Sequence, residues 1–300
     1  MEIIPGRVIR LQSGFYTVQT DQGVIVCGLR GRLKRRTVQE EVVAVGDQVE
    51  IMRLPEGSGM IEAILPRGKS LSRLDPQPNG FYRQILLANT DQVVLVFACT
   101  QPEPHLRMLD RFLVVAEKNE IPAVIVGNKV DLVGKEIARE IFSAYPPLGY
   151  QVLFTSTITG EGIESLKETL GDKVTALAGP SGVGKTSLLN HIQPGLGLKV
   201  REVYERQEQK GRHTTNVREM FPITGGGYVA DLPGLRSLAL WDTEPEELDG
   251  YFPELRGLVA DCQFNDCTHR DEPGCAVIQA VEAGSVDPDR YESYLRLRFG

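Results

Sequence analysis

The sequence predicts three domains: an all-β barrel, an α/β sheet domain and a small helical domain that binds a metal. Residues 1–69 hold short alternating strands between turn residues. Residues 70–240 alternate apolar strand runs with helical patterns, and residues 241–300 contain a cysteine cluster in an acidic, loop-rich stretch. A chain of 300 residues is long enough for two or three domains.

The charge distribution restricts where a nucleic-acid partner could bind. The net charge is −7, yet residues 1–74 hold 11 Lys and Arg against 8 Asp and Glu, which gives +3, and the remainder carries −10. A nucleic-acid partner therefore requires a local basic patch. No run reaches the roughly 18 apolar residues of a membrane span, and the first residues do not resemble a signal peptide. We expect a cytoplasmic monomer without a membrane partner.

The first domain is predicted to be a small closed barrel of the OB type, because five short strands occur in about 65 residues. The candidate strands are Gly6–Leu11, Phe15–Gln19, Val24–Cys27, Gly46–Met52 and Met60–Leu65. Residues 66–84, with three prolines, are predicted to be a linker.

A basic segment, Arg30–Arg36, lies between the third and fourth strands. We expect it to be a loop that contacts an RNA phosphate backbone, and a solvated surface loop is the alternative. Its five positive charges belong to Arg30, Arg32, Lys34, Arg35 and Arg36.

The central domain is predicted to be a sheet built from βαβ units and ending near Leu240. Gln92–Ala98 is a continuous apolar run, as expected of a parallel strand buried on both faces. Apolar residues between Leu106 and Ala116 have helical spacing. Further candidate strands are Pro122–Val126, Gln151–Phe154, Val174–Ala178 and Gly227–Ala230.

A phosphate-binding loop follows the strand Val174–Ala178. Its pattern is G-x-x-x-x-G-K-T, and a predicted helix begins directly after it. We expect backbone N–H groups to surround phosphates, Lys185 to reach the β- and γ-phosphates, and the Thr186 hydroxyl to ligate Mg²⁺. The residues of this loop are Gly179, Pro180, Ser181, Gly182, Val183, Gly184, Lys185, Thr186 and Ser187.

A guanine-binding motif, Asn128-Lys129-Val130-Asp131, follows another strand. The Asp131 carboxylate can accept hydrogen bonds from N1–H and the 2-amino group of guanine, a donor pair that adenine lacks. Asn128 can brace the neighbouring loop and the base edge, and the Lys129 stem can cover one face of the base. Ser156, or a backbone N–H beside it, is a second candidate for contact with guanine O6.

Two further segments are predicted to respond to the γ-phosphate. Asp231-Leu-Pro-Gly234 places a carboxylate to hold Mg²⁺ through water and a glycine N–H to meet the phosphate. In Gly211–Thr215, either Thr214 or Thr215 can close over Mg²⁺. His213 either orients water or is only structural, and Leu235 occupies the position after Gly234 where a water-orienting glutamine is often found.

The last domain contains Cys262, Cys267, His269 and Cys275, three thiols and an imidazole within 14 residues. Four such ligands are enough to complete a tetrahedral structural Zn²⁺ site, which we expect here. Buried cysteines beside a surface His269, or a redox site, are the alternatives. Ala276–Ala283 and Pro288–Phe299 are predicted helices, the second with Asp287 as its N-cap. Cys27 and Cys99 are predicted to be buried small hydrophobes.

The guanine motif precedes the phosphate loop, which inverts the usual order of GTPase motifs. With a barrel before it and a cysteine cluster behind it, the chain resembles the circularly permuted GTPases that assist late maturation of the small ribosomal subunit. Arg83-Gln84, Ala88–Gln92 and Gly211–Thr215 carry the resemblance, while Asn216 and Leu232 depart from the family pattern. The resemblance implies an OB-fold, a GTPase domain (70–240) and a zinc domain (241–300), with ribosomal RNA as partner.

We therefore expect a Mg²⁺-dependent GTPase that binds the small subunit, hydrolyses GTP to GDP in response and is then released. Because Leu235 cannot orient water, we expect slow intrinsic hydrolysis and completion of the site by His213 or by a ribosomal group. We also expect GTP and GDP to place residues 241–300 differently. A P-loop kinase or ATPase that acts on a small molecule, and a GTP-bound RNA-binding module without turnover, are the alternatives.

Overall fold

The computed structural model describes residues 2–34, 40–77, 80–196, 218–231 and 243–300. Among these residues, no helix combines the length and apolar character that crossing a bilayer would require. Predictions for Arg35, Arg36, Gly211–Thr215 and 232–242 lie outside the described residues, as does the predicted domain boundary near Leu240.

Five strands form a closed barrel at the start of the chain. The strands pair in the order β1-β2-β3-β5-β4, and β4 also pairs with β1, which closes the sheet. They are β1 (Ile3–Gln12), β2 (Phe15–Thr20), β3 (Gly23–Leu29), β4 (Gln48–Arg53) and β5 (Gly59–Ile64). Alternate residues point inward and form one core with Val8, Val18, Cys27 and Ile51 fully buried. The prediction of an OB-type barrel is confirmed.

The basic segment does not begin as a loop. A single helical turn, α1 (Gly31–Lys34), follows β3 directly. The carbonyl oxygen of Arg30 accepts a hydrogen bond from the N–H of Leu33 at 2.9 Å, which begins this turn.

The predicted linker at 66–84 is wrong, because most of it is an antiparallel hairpin. Strands β6 (Leu71–Gln77) and β7 (Gly80–Leu87) pair in register from Leu71 opposite Leu87 to Gln77 opposite Gly80. Pro76 suggested a linker. In a sheet of two strands each strand has one unpaired edge, so a residue without an N–H is tolerated there.

The central sheet has the strand order β10-β9-β8-β11-β13-β12. All neighbours are parallel except β12 and β13. The strands are β8 (Gln92–Ala98), β9 (Ala123–Asn128), β10 (Gln151–Thr155), β11 (Val174–Ala178), β12 (Arg218–Pro222) and β13 (Tyr228–Asp231). The helices are α2 (Leu106–Lys118), α3 (Lys135–Ile141), α4 (Ile163–Leu170) and α5 (Lys185–Ile192).

The sheet has a hydrophobic core on each face. Every residue of β8 is buried, and its alternate side chains belong to different cores. This explains the continuous apolar run in the sequence. Strand β12 was not predicted; it joins the two domains, since it pairs antiparallel with both β13 and β1.

The C-terminal region contains α6 (Pro253–Arg256), α7 (Ala276–Glu282) and α8 (Pro288–Phe299). The Asp287 side chain accepts from the N–H groups of Asp289 and Arg290, so it caps α8 as predicted. Val114 of α2 packs into the C-terminal core beside Phe252 and Tyr294. The C-terminal region is therefore built directly onto the central domain.

Candidate functional site

The predicted nucleotide motifs gather at one edge of the central sheet. The chain runs from β8 to β9 and β10 on one side, and from β11 to β13 on the other. Strand order therefore reverses between β8 and β11, and a ligand crevice is expected outside the carboxyl ends of strands at such a point. Asn128, Thr155, Ala178 and Asp231 are the last residues of β9, β10, β11 and β13.

The phosphate loop connects the buried strand β11 to α5. Gly179 lies at φ +148°, and a Cβ there would lie 2.0 Å from the carbonyl oxygen of Val96, so only glycine allows this approach to β8. The Lys185 ammonium donates to the carbonyl oxygens of Gly179 at 2.8 Å and Pro180 at 2.7 Å. The ammonium thus lies over the loop at the N-terminus of α5. Its charge and the partial positive charge of the helix N-terminus both attract a phosphate.

Asn128 joins the phosphate loop to the guanine motif. Its Nδ2 donates to the carbonyl oxygen of Val183 at 2.7 Å, and its Oδ1 accepts from the Thr155 hydroxyl at 3.0 Å. Gly184 lies at φ +98°, and a Cβ there would lie 2.4 Å from Asn128 Nδ2. This buried amide therefore connects three loops, and its contact with a guanine edge stays a prediction. The bond between the Thr155 hydroxyl and Asn128 was not predicted, because the two residues are 27 positions apart and meet only after folding.

Lys129 and Asp131 lie at the mouth of the crevice. Lys129 has a left-handed backbone with φ +63°, and its ammonium donates to the carbonyl oxygens of Gly182, at 2.8 Å, and Gln101. Burial lowers the pKa of Lys129, while the nearby Asp131 carboxylate acts in the opposite direction. Val130 is buried, whereas Asp131 is exposed and can meet a base edge from solvent.

Ser156 is fully buried and shapes the loop after β10. Its hydroxyl oxygen accepts from the N–H groups of Ile158 at 3.1 Å and Thr159 at 3.2 Å. The Ser156 side chain is thereby engaged within its own turn, and its contact with guanine O6 stays a prediction.

Asp231 lies beside the phosphate loop, paired in register with Leu177. Within the described residues its Oδ1 is buried without a hydrogen-bond partner. Burial raises the pKa of this carboxyl, and the Lys185 ammonium acts against that shift. An unpartnered carboxylate oxygen is a ligand that Mg²⁺ prefers, so Asp231 fits the predicted metal position, with the Thr186 hydroxyl as the second predicted ligand. Gly234, His213, Thr214 and Thr215 lie outside the described residues.

The predicted RNA-binding segment is partly neutralised. The Arg30 guanidinium contacts Glu62 Oε1, and Arg32 Nη2 donates to the Glu62 carbonyl oxygen at 2.9 Å and lies 3.4 Å from Oε2. The Arg30 and Arg32 side chains are nevertheless 46% and 65% exposed. Lys34 ends α1, while Arg35 and Arg36 lie outside the described residues.

The predicted zinc ligands converge. The ligand atoms of Cys262, Cys267, His269 and Cys275 all lie within 4.8 Å of one another. His269 Nδ1 is 3.5 Å from Cys262 Sγ and 3.4 Å from Cys275 Sγ, and these two sulfurs are 4.0 Å apart. Normal Zn–S and Zn–N lengths give tetrahedral edges of about 3.8 Å between sulfurs and about 3.6 Å between sulfur and nitrogen. The cluster therefore fits Zn²⁺.

Groups around the cluster support this fit. Burial raises the pKa of both Cys267 and Cys275, and a bound cation would favour their thiolate forms. The Glu272 carboxylate accepts from the N–H and hydroxyl of Thr268 and from the N–H of Arg270, which closes the loop around His269. The spacing of cysteines does not point to Glu272 or to Asp249, whose Oδ2 lies 3.2 Å from His269 Nε2.

A phosphate loop on the central strand, a guanine motif earlier in the chain, an N-terminal barrel and a Cys₃His cluster together define a circularly permuted GTPase. Residues 64–241 match the RsgA GTPase family, and residues 5–61 match the RsgA N-terminal domain. The chain belongs to the RsgA GTPase family and is a GTP hydrolase. The resemblance read from the sequence, and the fold it implied, are confirmed.

Known relatives match along nearly the whole chain. The small ribosomal subunit biogenesis GTPase RsgA of Gemmatimonas aurantiaca is 46% identical over 297 residues, covering 98% of this chain and 96% of the relative. The crystal structure of YjeQ from Thermotoga maritima superposes with a TM-score of 0.81 at 40% identity, covering 99% and 98% of the two chains. YloQ, a circularly permuted GTPase, gives 0.74 at 33% identity, covering 99% and 94%.

Proposed function

We propose that this protein binds the small ribosomal subunit late in its maturation, hydrolyses GTP in response and is then released into the cytoplasm. The observation that carries the proposal is the match to small-subunit biogenesis GTPases across almost the full length of both chains. The nucleotide crevice supports the reaction, and the Arg30–Arg36 segment offers a contact for ribosomal RNA. The protein acts as a monomer.

In this proposal Asp131 selects guanine, and Lys129 covers one face of the base. Lys185 and the N–H groups at the start of α5 bind the phosphates and stabilise charge that develops during transfer. Thr186 and, through water, Asp231 would hold Mg²⁺, which would neutralise charge on the phosphate oxygens. The Gly234 N–H meets the γ-phosphate, and either Thr214 or Thr215 closes over Mg²⁺ when the γ-phosphate is present. Zn²⁺ folds the C-terminal loop and takes no part in the chemistry.

Leu235 makes the intrinsic reaction slow, because an apolar side chain cannot position the attacking water. Either His213 or a group from the subunit supplies that function. His213→Ala with unchanged stimulated turnover would assign the function to the subunit.

The test is GTP turnover by the zinc-loaded protein, with and without small ribosomal subunits. We expect strong stimulation by subunits for GTP, none for ATP, and no activity in Lys185→Ala under either condition. Equal turnover with and without subunits would overturn the subunit-triggered mechanism while leaving the GTPase itself intact. Turnover of ATP at the same rate would instead support the kinase or ATPase alternative.

A further inference from the structure

One carboxylate on the barrel holds two arginines of the basic segment. Arg30 Nη1 contacts Glu62 Oε1. Arg32 Nη2 lies 3.4 Å from Glu62 Oε2 and donates to the Glu62 carbonyl oxygen at 2.9 Å. Because both carboxylate oxygens belong to one group, the two guanidinium groups are held next to each other.

The register of the barrel explains why these three side chains meet. Leu29 of β3 is paired with Ile61 of the parallel strand β5, and both side chains lie in the barrel core. Successive side chains of a strand point to opposite faces, so Arg30 and Glu62, the next residues of the two strands, share the outer face. The helical turn α1 begins directly after Arg30 and brings Arg32 to the same carboxylate.

The exposure of the three side chains shows which of them a ligand can reach. The Glu62 side chain is only 10% exposed, whereas Arg30 and Arg32 are 46% and 65% exposed. Two positive charges share one negative charge, so one positive charge is left over. A guanidinium group carries several N–H donors, and the contacts with Glu62 engage only part of them. An anion that approaches from solvent can therefore meet both guanidinium groups without displacing the carboxylate.

The carboxylate lowers the cost of binding an anion with both arginines at once. Without it, the two neighbouring guanidinium groups would repel each other and sample many rotamers. Fixing one flexible side chain in an interface reduces affinity by a factor of about 2 to 12. With Glu62 in place this cost is met during folding, before any ligand binds. A phosphate group that accepts from both arginines then meets a prepared pair of charge-assisted donors.

We propose that Glu62 is a positioning residue for RNA binding, which holds Arg30 and Arg32 as a pair that takes one phosphate group of the RNA backbone. The proposal rests on the proposed function, because RNA of the small subunit is the ligand. It assigns to a negatively charged residue a favourable role in binding an anion. A carboxylate that only competed with RNA for the arginines would have the opposite effect on affinity.

The test measures the Kd for purified small ribosomal subunits of the zinc-loaded protein with a bound non-hydrolysable GTP analogue. Glu62→Gln keeps the size of the side chain and removes its charge. If charge alone counted, losing a negative charge beside an anionic ligand would strengthen binding. We expect the reverse, a Kd that rises at least about five-fold, because both arginines lose their positioning. Unstimulated GTP turnover should stay within about two-fold of the wild type.

Two other variants calibrate this result. Glu50→Gln is the matched control, because Glu50 lies on the neighbouring strand β4, opposite Ala63, and its loss changes the net charge by the same amount. It should not weaken binding. The double variant Arg30→Gln with Arg32→Gln should weaken binding. It should also lower the slope of log K against log salt by about 0.7 to 0.9, the value for one phosphate contact.

A third comparison separates positioning from a merely structural role. When Glu62→Gln is added to the double arginine variant, it has no guanidinium group left to position. It should therefore cause no further loss of affinity. A loss of the same size in this background would mean that Glu62 only stabilises the barrel, and it would overturn the proposal.

The remaining outcomes are distinguishable. Tighter binding in Glu62→Gln would overturn the proposal and make Glu62 a competitor of RNA. Unchanged binding in Glu62→Gln, or in the double arginine variant, would overturn it as well. A wild-type protein that does not bind small subunits refutes the proposed function first, and this proposal with it.

Discussion

At the scale of single residues, His269 shows how a ligand depends on a neighbour that does not touch the metal. Its Nδ1 faces the cysteine sulfurs, while Nε2 lies 3.2 Å from Asp249 Oδ2. A neutral imidazole that ligates through Nδ1 carries its proton on Nε2, and a carboxylate acceptor there fixes this tautomer and the orientation of the ring. Asp249 is thus positioned to strengthen metal binding.

Asp249→Asn is therefore expected to weaken Zn²⁺ binding about 10- to 100-fold. An amide can still approach Nε2 but lacks the charge that favours the proton there. The affinity is measured by competition with a colorimetric chelator. Glu247→Gln is the control, because Glu247 lies on the same 3₁₀ segment, Pro245–Tyr251, with a side chain that is 51% exposed. Equal affinities for all three proteins would show that Asp249 has no such role.

These residues also show what sequence could indicate. Cys262, Cys267, His269 and Cys275 lie close in the chain, so their spacing was sufficient to predict a cluster. Asp249 is 20 residues from His269, and Thr155, whose hydroxyl donates to Asn128, is 27 residues from it. No spacing rule connects such pairs, since folding alone brings them together.

At the scale of elements, α8 is attached to the central domain by a buried ionic network. Arg290 Nη1 donates to Asp110 Oδ1 on α2 at 2.6 Å, and its Nε donates to Glu254 Oε1 on α6 at 2.7 Å. The Arg290 and Asp110 side chains are 3% and 2% exposed, and the guanidinium carbon lies 4.7 Å from the centre of the Phe252 ring. The hydroxyl of Tyr145 donates to the same Asp110 oxygen at 2.9 Å.

Replacing Arg290 by leucine should lower the free energy of unfolding by about 3–5 kcal/mol, because two buried carboxylates lose their counter-charge. Burial already raises the pKa of Asp110 despite Arg290, and loss of the guanidinium raises it further. A raised pKa in the native state means that the folded protein binds this proton more tightly than the unfolded chain does. Protonation therefore stabilises the fold, and the loss in free energy of unfolding caused by Arg290→Leu should shrink as the pH falls. Denaturant unfolding at several pH values measures both effects.

The control for this prediction is Arg296→Ala on the same helix. Arg296 pairs with Glu292 in an exposed contact, with side chains 56% and 46% exposed, so its loss should change the free energy of unfolding very little. A deficit in Arg290→Leu no larger than that of the control would contradict the proposed importance of the network.

Elements with strong periodic patterns were predictable, and elements defined by their partners were not. The run Gln92–Ala98 is β8 residue for residue, and Val174–Ala178 is β11. By contrast, Pro76 led us to predict a linker where the chain forms the hairpin β6–β7. In β12 only Met220 is fully buried, so Arg218–Pro222 has little apolar pattern. Its strand conformation depends on pairing with β1 and β13.

At the scale of the whole molecule, the domains share elements instead of joining through simple linkers. Strand β12 continues the central sheet into the barrel, and α2 contributes Leu113 to the central core and Val114 to the C-terminal core. The order of motifs in the sequence predicted the permuted arrangement. The shared elements could not be predicted, because they depend on which faces meet after folding.

From the sequence we expected GTP and GDP to place residues 241–300 differently. The shared elements favour another response to nucleotide. Moving the C-terminal region alone would separate Arg290 from Asp110 and leave the buried Asp110 carboxylate without its counter-charge, while Arg290 would keep Glu254. We therefore expect residues 243–300 to move with α2 as one body. A nucleotide would then act mainly through segments near the crevice.

Solution scattering of the zinc-loaded protein checks this expectation. Profiles with GDP and with a non-hydrolysable GTP analogue should coincide for the wild type, while subunit affinity still differs between the two states. Arg290→Leu, which loosens the attachment of α8, should broaden the distance distribution in both states. A nucleotide-dependent change in the radius of gyration of the wild type would show instead that binding energy from the γ-phosphate exceeds the cost of opening the network. The C-terminal region would then be the part of the molecule that couples hydrolysis to release.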